Sequence, residues 1–110
     1  MGLIVNGQAV AQTAIEADGD WNDIRFDYRI EASSWVALRI YPSAHTNPIF
    51  VEVDNRPIRV GESIEWSRKA VDQCWKMKAP RIREEDRPAA SAAYDRARAL
   101  YEQLLRESGR

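Results

Sequence analysis

Residues able to do chemistry are few and scattered. His45 is the single imidazole and Cys74 the single thiol among 110 residues. A zinc centre takes three or four nitrogen, sulfur or carboxylate ligands, so a lone histidine and a distant cysteine leave a hydrolytic metal site without its donors. No metal and no other cofactor is expected. His45 lies in Pro42-Ser43-Ala44-His45-Thr46-Asn47-Pro48, a loop with proline at both ends. In such a loop an imidazole serves more readily to orient Thr46 or Asn47, or to cap a backbone carbonyl. Ser33, Ser34, Ser43, Ser63 and Ser67 have only that one histidine as a base, and no GxSxG turn occurs. Ser43 is the serine beside it, and both side chains would have to converge within one short loop. His45 and Ser43 are therefore the only catalytic candidates, set against a default of no catalytic residue.

Carboxylates are plentiful, with Asp and Glu totalling 17. Asp23 and Asp27 nevertheless share the charged side of their segment with Arg25 and Arg29, where surface pairing is the ordinary outcome. A glycosidase pair needs a cleft and a raised pKa as well. The basic cluster Lys76, Lys78, Arg81 and Arg83 is followed at once by Glu84, Glu85 and Asp86, which neutralise it. No glycine-rich phosphate cradle or extended basic stripe accompanies it, so no nucleic-acid partner is expected. Among the aromatics, Trp21, Trp35 and Tyr41 are the candidate ligand-stacking residues. The competing use of Trp35, Tyr41, Trp66 and Trp75 is to fill a core, since each ring buries a large area. Trp21, beside a turn, is the aromatic expected to be exposed or in an interface.

Composition narrows the class. Charged residues make up 30% and apolar residues 45%, with a net charge of -1; this is a soluble globular profile with no general pull toward nucleic acid or acidic membrane. One cysteine excludes a disulfide framework, and Cys74, beside Trp75 in a helical pattern, reads as a buried inert thiol. No apolar run approaches the length of a membrane span, and MGLIVNGQAV carries no signal-peptide pattern. The expectation is a soluble chain with no membrane partner, cytoplasmic by default.

The elements that must position these residues fall into two unlike stretches of one domain covering 1–110: a β-rich part, 1–60, and a helical part, 62–107. Leu3-Ile4-Val5, Asn6-Gly7 and Gln8 to Ile15 spell a hairpin, because a type I′ turn needs positive φ at both central residues. The first strand begins so soon after Met1 that it reads as cut from a larger sheet. After the Asp18-Gly19-Asp20 turn, Ile24, Phe26, Tyr28 and Ile30 alternate with charged residues, the clearest strand pattern in the chain. Val36, Leu38 and Ile40 share one face and Trp35, Ala37, Arg39 and Tyr41 the other, the mark of a central or covered strand. Ile49, Val51 and Val53 define a further inward face. Asp54-Asn55-Arg56-Pro57 then turns the chain into a short return strand, Ile58 to Val60. Ser63 is the expected cap of a first helix whose stripe is Ile64, Val71, Cys74, Trp75 and Lys78, ending near Pro80. A second helix opens near Asp86 with Pro88 in its first turn. It carries Ala90, Ala93, Ala97, Leu100, Tyr101, Leu104 and Leu105 on one face, and Arg98, Glu102 and Arg106 on a solvated one. The predicted fold is α+β: an antiparallel, sandwich-like sheet of four to five strands followed by two C-terminal helices.

Ser33-Ser34-Trp35-Val36-Ala37-Leu38-Arg39, Ala44-His45-Thr46-Asn47-Pro48, Val53-Asp54 with Pro57-Ile58, and the helix Glu65-Trp66 through Val71-Asp72-Gln73-Cys74-Trp75 together resemble the C-terminal region of CehA/McbA-type metallohydrolases. The likeness runs from about Val5 to the final helix. Where this chain has Asn55 the family often has glycine, and asparagine also tolerates positive φ there. In that family a metal-binding domain of the polymerase-and-histidinol-phosphatase type, earlier in the polypeptide, performs the hydrolysis. Its histidine and aspartate ligands have no counterpart here, so the resemblance implies an accessory module and transfers no catalytic residue. Three functions are then in play. The first is a noncatalytic interaction module whose partner is a catalytic hydrolase domain or a second copy of itself, joined by edge pairing or helix exchange. The second is a small ester, amide or lactone hydrolase using His45 with Ser43 or a carboxylate. The third is a carbohydrate- or aromatic-binding module using Trp21, Trp35 and Tyr41.

Overall fold

The computed structural model describes residues 1–108. The chain divides into two compact units, Met1–Ile58 and Arg59–Arg110, beside the change from alternating to helical pattern.

The first unit is an antiparallel sheet. β1 (Gly2–Val5) and β2 (Gln8–Gln12) form the expected hairpin. Asn6 and Gly7 have φ of 50° and 86°, the primed turn that follows the strand twist. A bulge falls between Leu3 and Ile4, where the partners jump from Ala11 to Ala9. β3 (Ser34–Ile40) is central: β1 pairs with it along Val36 to Arg39, while β4 (Ala44–His45) and β5 (Ile49–Val51) both pair with it as well. The β3–β4 connection includes a cis Tyr41–Pro42 bond. Thr46 extends the pairing beyond β4: its N–H donates to the Leu38 carbonyl, and its hydroxyl accepts from the Leu38 N–H, each at 3.0 Å.

Two predicted strands do not form. Ile24 to Ile30 lies in no sheet, although it has the strongest alternation in the sequence. Alternation dictates which side chains share a side, but a strand also needs a neighbour to bond, and no described segment forms a ladder with it. Ile58 to Val60 likewise joins no ladder. The turn before it is pinned by a side chain instead. Asp54 and Asn55 both have φ of 54°, and Arg56 N–H returns to the Val53 carbonyl at 3.1 Å. The Ser33 hydroxyl donates to the Arg56 carbonyl at 2.6 Å and accepts from Val53 N–H at 2.8 Å. All five strands belong to one sheet, and among the described residues no second sheet completes a sandwich.

The second unit pairs α1 (Gly61–Lys78) with α2 (Arg87–Ser108) through two short 3-10 turns, Ala79–Arg81 and Glu84–Asp86. Val60, not Ser63, occupies the N-cap of α1, and no side chain caps it; Ser63 lies inside the first turn. The start of α1 approaches the end of α2 closely: a Cβ on Gly61 would stand 3.3 Å from Ser108 Oγ. At the other end Trp75 packs on Tyr94, centroids 4.9 Å apart and planes tilted by 54°, so the helices run antiparallel.

Arg98 departs from its predicted place. It is not on a solvated face but turns toward α1, its side chain 21% exposed, donating from Nε to Asp72 and from Nη1 to Asp95, both at 2.7 Å. Asp72 also accepts from Arg68 Nη1 at 2.7 Å, and Arg68 reaches Glu102 at 3.3 Å. Periodicity assigned Arg98 by its charge; tertiary packing used its long stem to cover the helix seam while the guanidinium met Asp72.

No helix of the described residues is long and apolar enough to cross a membrane.

Candidate functional site

Antiparallel register brings side chains directly opposite each other onto one face. Trp35 faces Phe50, and Arg39 faces His45. Residues two apart along β3 stay on that side, which adds Ala37 and carries the row on to Tyr41. The result is an open groove of about 630 Å³, walled by Trp35, Arg39, Tyr41, His45, Pro48 and Phe50. Its size lies within the range of small-molecule sites, about 300–1,000 Å³.

The groove is apolar with a cationic rim. Phe50 is 68% and Tyr41 73% exposed, so large rings stand open to solvent. The Arg39 guanidinium lies over the Tyr41 ring, 4.0 Å from its centroid, a cation–π contact that leaves its edge free to meet an anion. His45 Nδ1 is 3.0 Å from the Thr46 carbonyl; in that bond the ring donates, because a carbonyl oxygen can only accept. No carboxylate, serine or cysteine lines the groove. The Thr46 hydroxyl lines the groove beside His45 and accepts from the Leu38 N–H, and no carboxylate there orients the imidazole.

Of the predicted site residues, the structure brings together Trp35, Tyr41 and His45. It does not bring Ser43 or Trp21 to them: neither lines the groove, and Trp21 is fully exposed in the loop before residue 23. The paired serines of Ser33-Ser34-Trp35 are structural. Both are buried, and the Ser34 hydroxyl donates to the Ala32 carbonyl at 2.7 Å while accepting from Asn6 Nδ2 at 3.1 Å. Asn6 Oδ1 in turn accepts from Trp35 N–H, and Asn6 N–H donates to the Trp35 carbonyl. The hairpin turn thereby fixes the backbone that presents the Trp35 ring.

Sequence reasoning missed Phe50, because Ile49, Val51 and Val53 marked the other side as inward. In the structure Ile49 is itself 66% exposed, whereas Val51 and Val53, on the side expected to face inward, are half-buried. Two further expectations are overturned in the helical unit. Cys74 is exposed, with Sγ 3.0 Å from the Tyr94 hydroxyl, and that contact holds the Tyr94 phenol above its ordinary pKa. Trp66 is 73% exposed rather than core. Among the described residues no three His, Cys, Asp or Glu side chains converge as a metal site would require.

No protein-family model matches this chain, and neither a curated protein nor a solved structure matches it.

Proposed function

We propose that this chain is a noncatalytic interaction module, of the kind implied by its resemblance to the C-terminal region of CehA/McbA-type metallohydrolases, and that its apolar surfaces are covered by another polypeptide. One observation carries this reading: Leu3 and Ile64 are the only buried apolar side chains among the described residues, while Trp21, Tyr41, Ile49, Phe50, Trp66 and Met77 are each more than half exposed. The chain exposes 9015 Å². Two separate globular bodies of half its 12.6 kDa mass would together expose about 7,500 Å². The surplus, roughly 1,500 Å², exceeds the area of about 800 Å² that each partner contributes to a standard interface.

The test uses the whole chain. It is expected to brighten an apolar-surface dye in native buffer, to bind in trans a CehA/McbA-type catalytic domain deprived of its own C-terminal region, and to lose the dye signal on binding. Turnover of an ester, amide or lactone that disappears in His45→Ala would overturn the reading.

The groove supports a second reading, a binding site for an aromatic or sugar ring. Trp35 and Phe50 face each other across the sheet, and Arg39 at the rim favours a ligand that carries an anionic group. Trp21 has no part in it.

A further inference from the structure

The segment 23–29 is a strand without a sheet. No turn or bend interrupts residues 21–31, and none of the backbone hydrogen bonds outside the helices and ladders involves them. Its side chains keep strand alternation. On one side Ile24, Phe26 and Ile30 are half-buried and Tyr28 is 49% exposed, while on the other Arg25, Asp27 and Arg29 are exposed. Arg25 meets Asp27 at 3.1 Å, and Arg29 meets Glu31 at 3.6 Å, pairs two apart that share a side only on extended backbone. A row of open N–H and C=O groups of this kind is a template for another strand.

The sequence of the segment names the strand that fits. Asp23-Ile24-Arg25-Phe26-Asp27-Tyr28-Arg29 is complementary to itself when two copies run antiparallel about a two-fold axis at Phe26. Asp23 then faces Arg29 and Arg25 faces Asp27, on both halves, so every cross-strand charge pair is of opposite sign. On the other side Phe26 faces Phe26 and Ile24 faces Tyr28, an apolar row throughout. Shifting the axis one residue either way, to Arg25 or to Asp27, sets like charges opposite each other, and such pairs are destabilising. Centring on Tyr28 restores opposite charges but draws in Ala32, whose carbonyl already accepts from Ser34, and Ser33, which is buried. A one-residue slip of one strand alone would oppose apolar to charged residues.

We propose that residues 23–29 pair antiparallel with the same segment of a second copy of this chain, in the register centred on Phe26. The pairing rests on the interaction-module reading above and supplies it with a partner. The intrachain pair of Arg25 and Asp27 is highly exposed, 84% and 78%, so it gives way readily to cross-strand partners.

Charge swaps test the register in the full chain by sedimentation equilibrium. Arg25→Asp alone places aspartates opposite each other, and Asp27→Arg alone places arginines opposite each other. Each is expected to weaken the dimer at least about tenfold. In a mixed dimer of the two variants, positions 25 and 27 are both aspartate on one strand and both arginine on the other, so both cross-strand pairs are again of opposite sign, and a heterodimer of near wild-type affinity is expected. The Tyr28-centred register predicts no such rescue, because there the arginine introduced at position 27 would stand against Arg29. A second measurement uses Cys74→Ser as background. Phe26→Cys is expected to form an intermolecular disulfide, since directly opposed strand residues lie about 4.5–5.5 Å apart at Cα, whereas Ile24→Cys is not. A wild-type chain that is monomeric at high concentration, a dimer indifferent to both swaps, or cross-linking through Tyr28→Cys instead would each overturn this pairing. None of those results bears on turnover or on binding of a catalytic domain, which decide the module reading separately.

Discussion

The Arg39 guanidinium stacks over the ring of Tyr41, the residue just past the end of β3, at 4.0 Å, and so places a cation at the rim of a groove that the opposed Trp35 and Phe50 also line. An exposed contact of this kind is worth only about 0.5–1 kcal/mol to the fold. Its larger consequence is electrostatic, because it sets which ligands the groove accepts.

If the groove takes a ring, Arg39→Gln discriminates. Binding of an aromatic carboxylate, followed by chemical-shift changes at Trp35, is expected to weaken about tenfold, equivalent to about 1.4 kcal/mol. Binding of the matching aromatic alcohol is expected to stay unchanged. Equal loss for both would show that Arg39 acts through packing alone.

Ser33→Ala is expected to destabilise the sheet unit by about 1–3 kcal/mol, because it leaves the Arg56 carbonyl and Val53 N–H without the hydroxyl that satisfies them. Urea unfolding of the whole chain checks this. A change below about 0.5 kcal/mol, the usual range for surface substitutions, would mean that water replaces the hydroxyl at no cost.

Asn6 does two jobs that two substitutions separate. Its φ of 50° lies in the left-handed region that asparagine and glycine tolerate and alanine does not, and its amide ties the turn to Ser34 and Trp35. Asn6→Gly loses only the amide bonds, while Asn6→Ala loses them and adds left-handed strain. Asn6→Ala is therefore expected to melt below Asn6→Gly, by a margin of about 1 kcal/mol in unfolding free energy.

The helical unit carries a pH dependence of defined sign. Arg98 foremost, and Arg68 with it, hold the Asp72 carboxyl below its ordinary value. A carboxylate lowered in the folded state binds its proton more readily when unfolded. Its contribution is thus fully present above the ordinary aspartate pKa of about 3.9 and is lost as pH falls through the lower folded value. Helix melting followed at 222 nm is expected to show an acid-side decline that shrinks in Asp72→Asn. An identical acid profile in that variant would remove Asp72 from the account.

Cys74 is expected to react with a thiol reagent in native buffer, at a rate within about tenfold of that in denaturant, since the residue is exposed and its thiol is hydrogen-bonded to the Tyr94 hydroxyl. Protection lifted only by unfolding would place the thiol back in a core.

What could be read beforehand was local. The Asn6-Gly7 turn, the tight turn at Asp54-Asn55, the central place of residues 34–40 and the two C-terminal helices each follow from short-range backbone preference or from a repeating pattern, and the structure has all of them. The side of β3 that carries Trp35 and Arg39 and leads on to Tyr41 was legible for the same reason, since a strand's period of two depends on nothing outside itself.

Residues 1–108 as a whole decided the rest, because pairing and burial are relations between distant segments. Tertiary structure set Phe50 opposite Trp35 and His45 opposite Arg39, and thereby made one groove of residues that the chain keeps apart. It committed Ser33 and Ser34 to backbone partners, drew Arg98 to Asp72, and left Cys74 and Trp66 in the open. It also left residues 23–29 without a ladder, although their pattern is the strongest in the chain. Alternation states which atoms share a side, but only the presence of a neighbouring backbone turns an extended segment into a strand of a sheet.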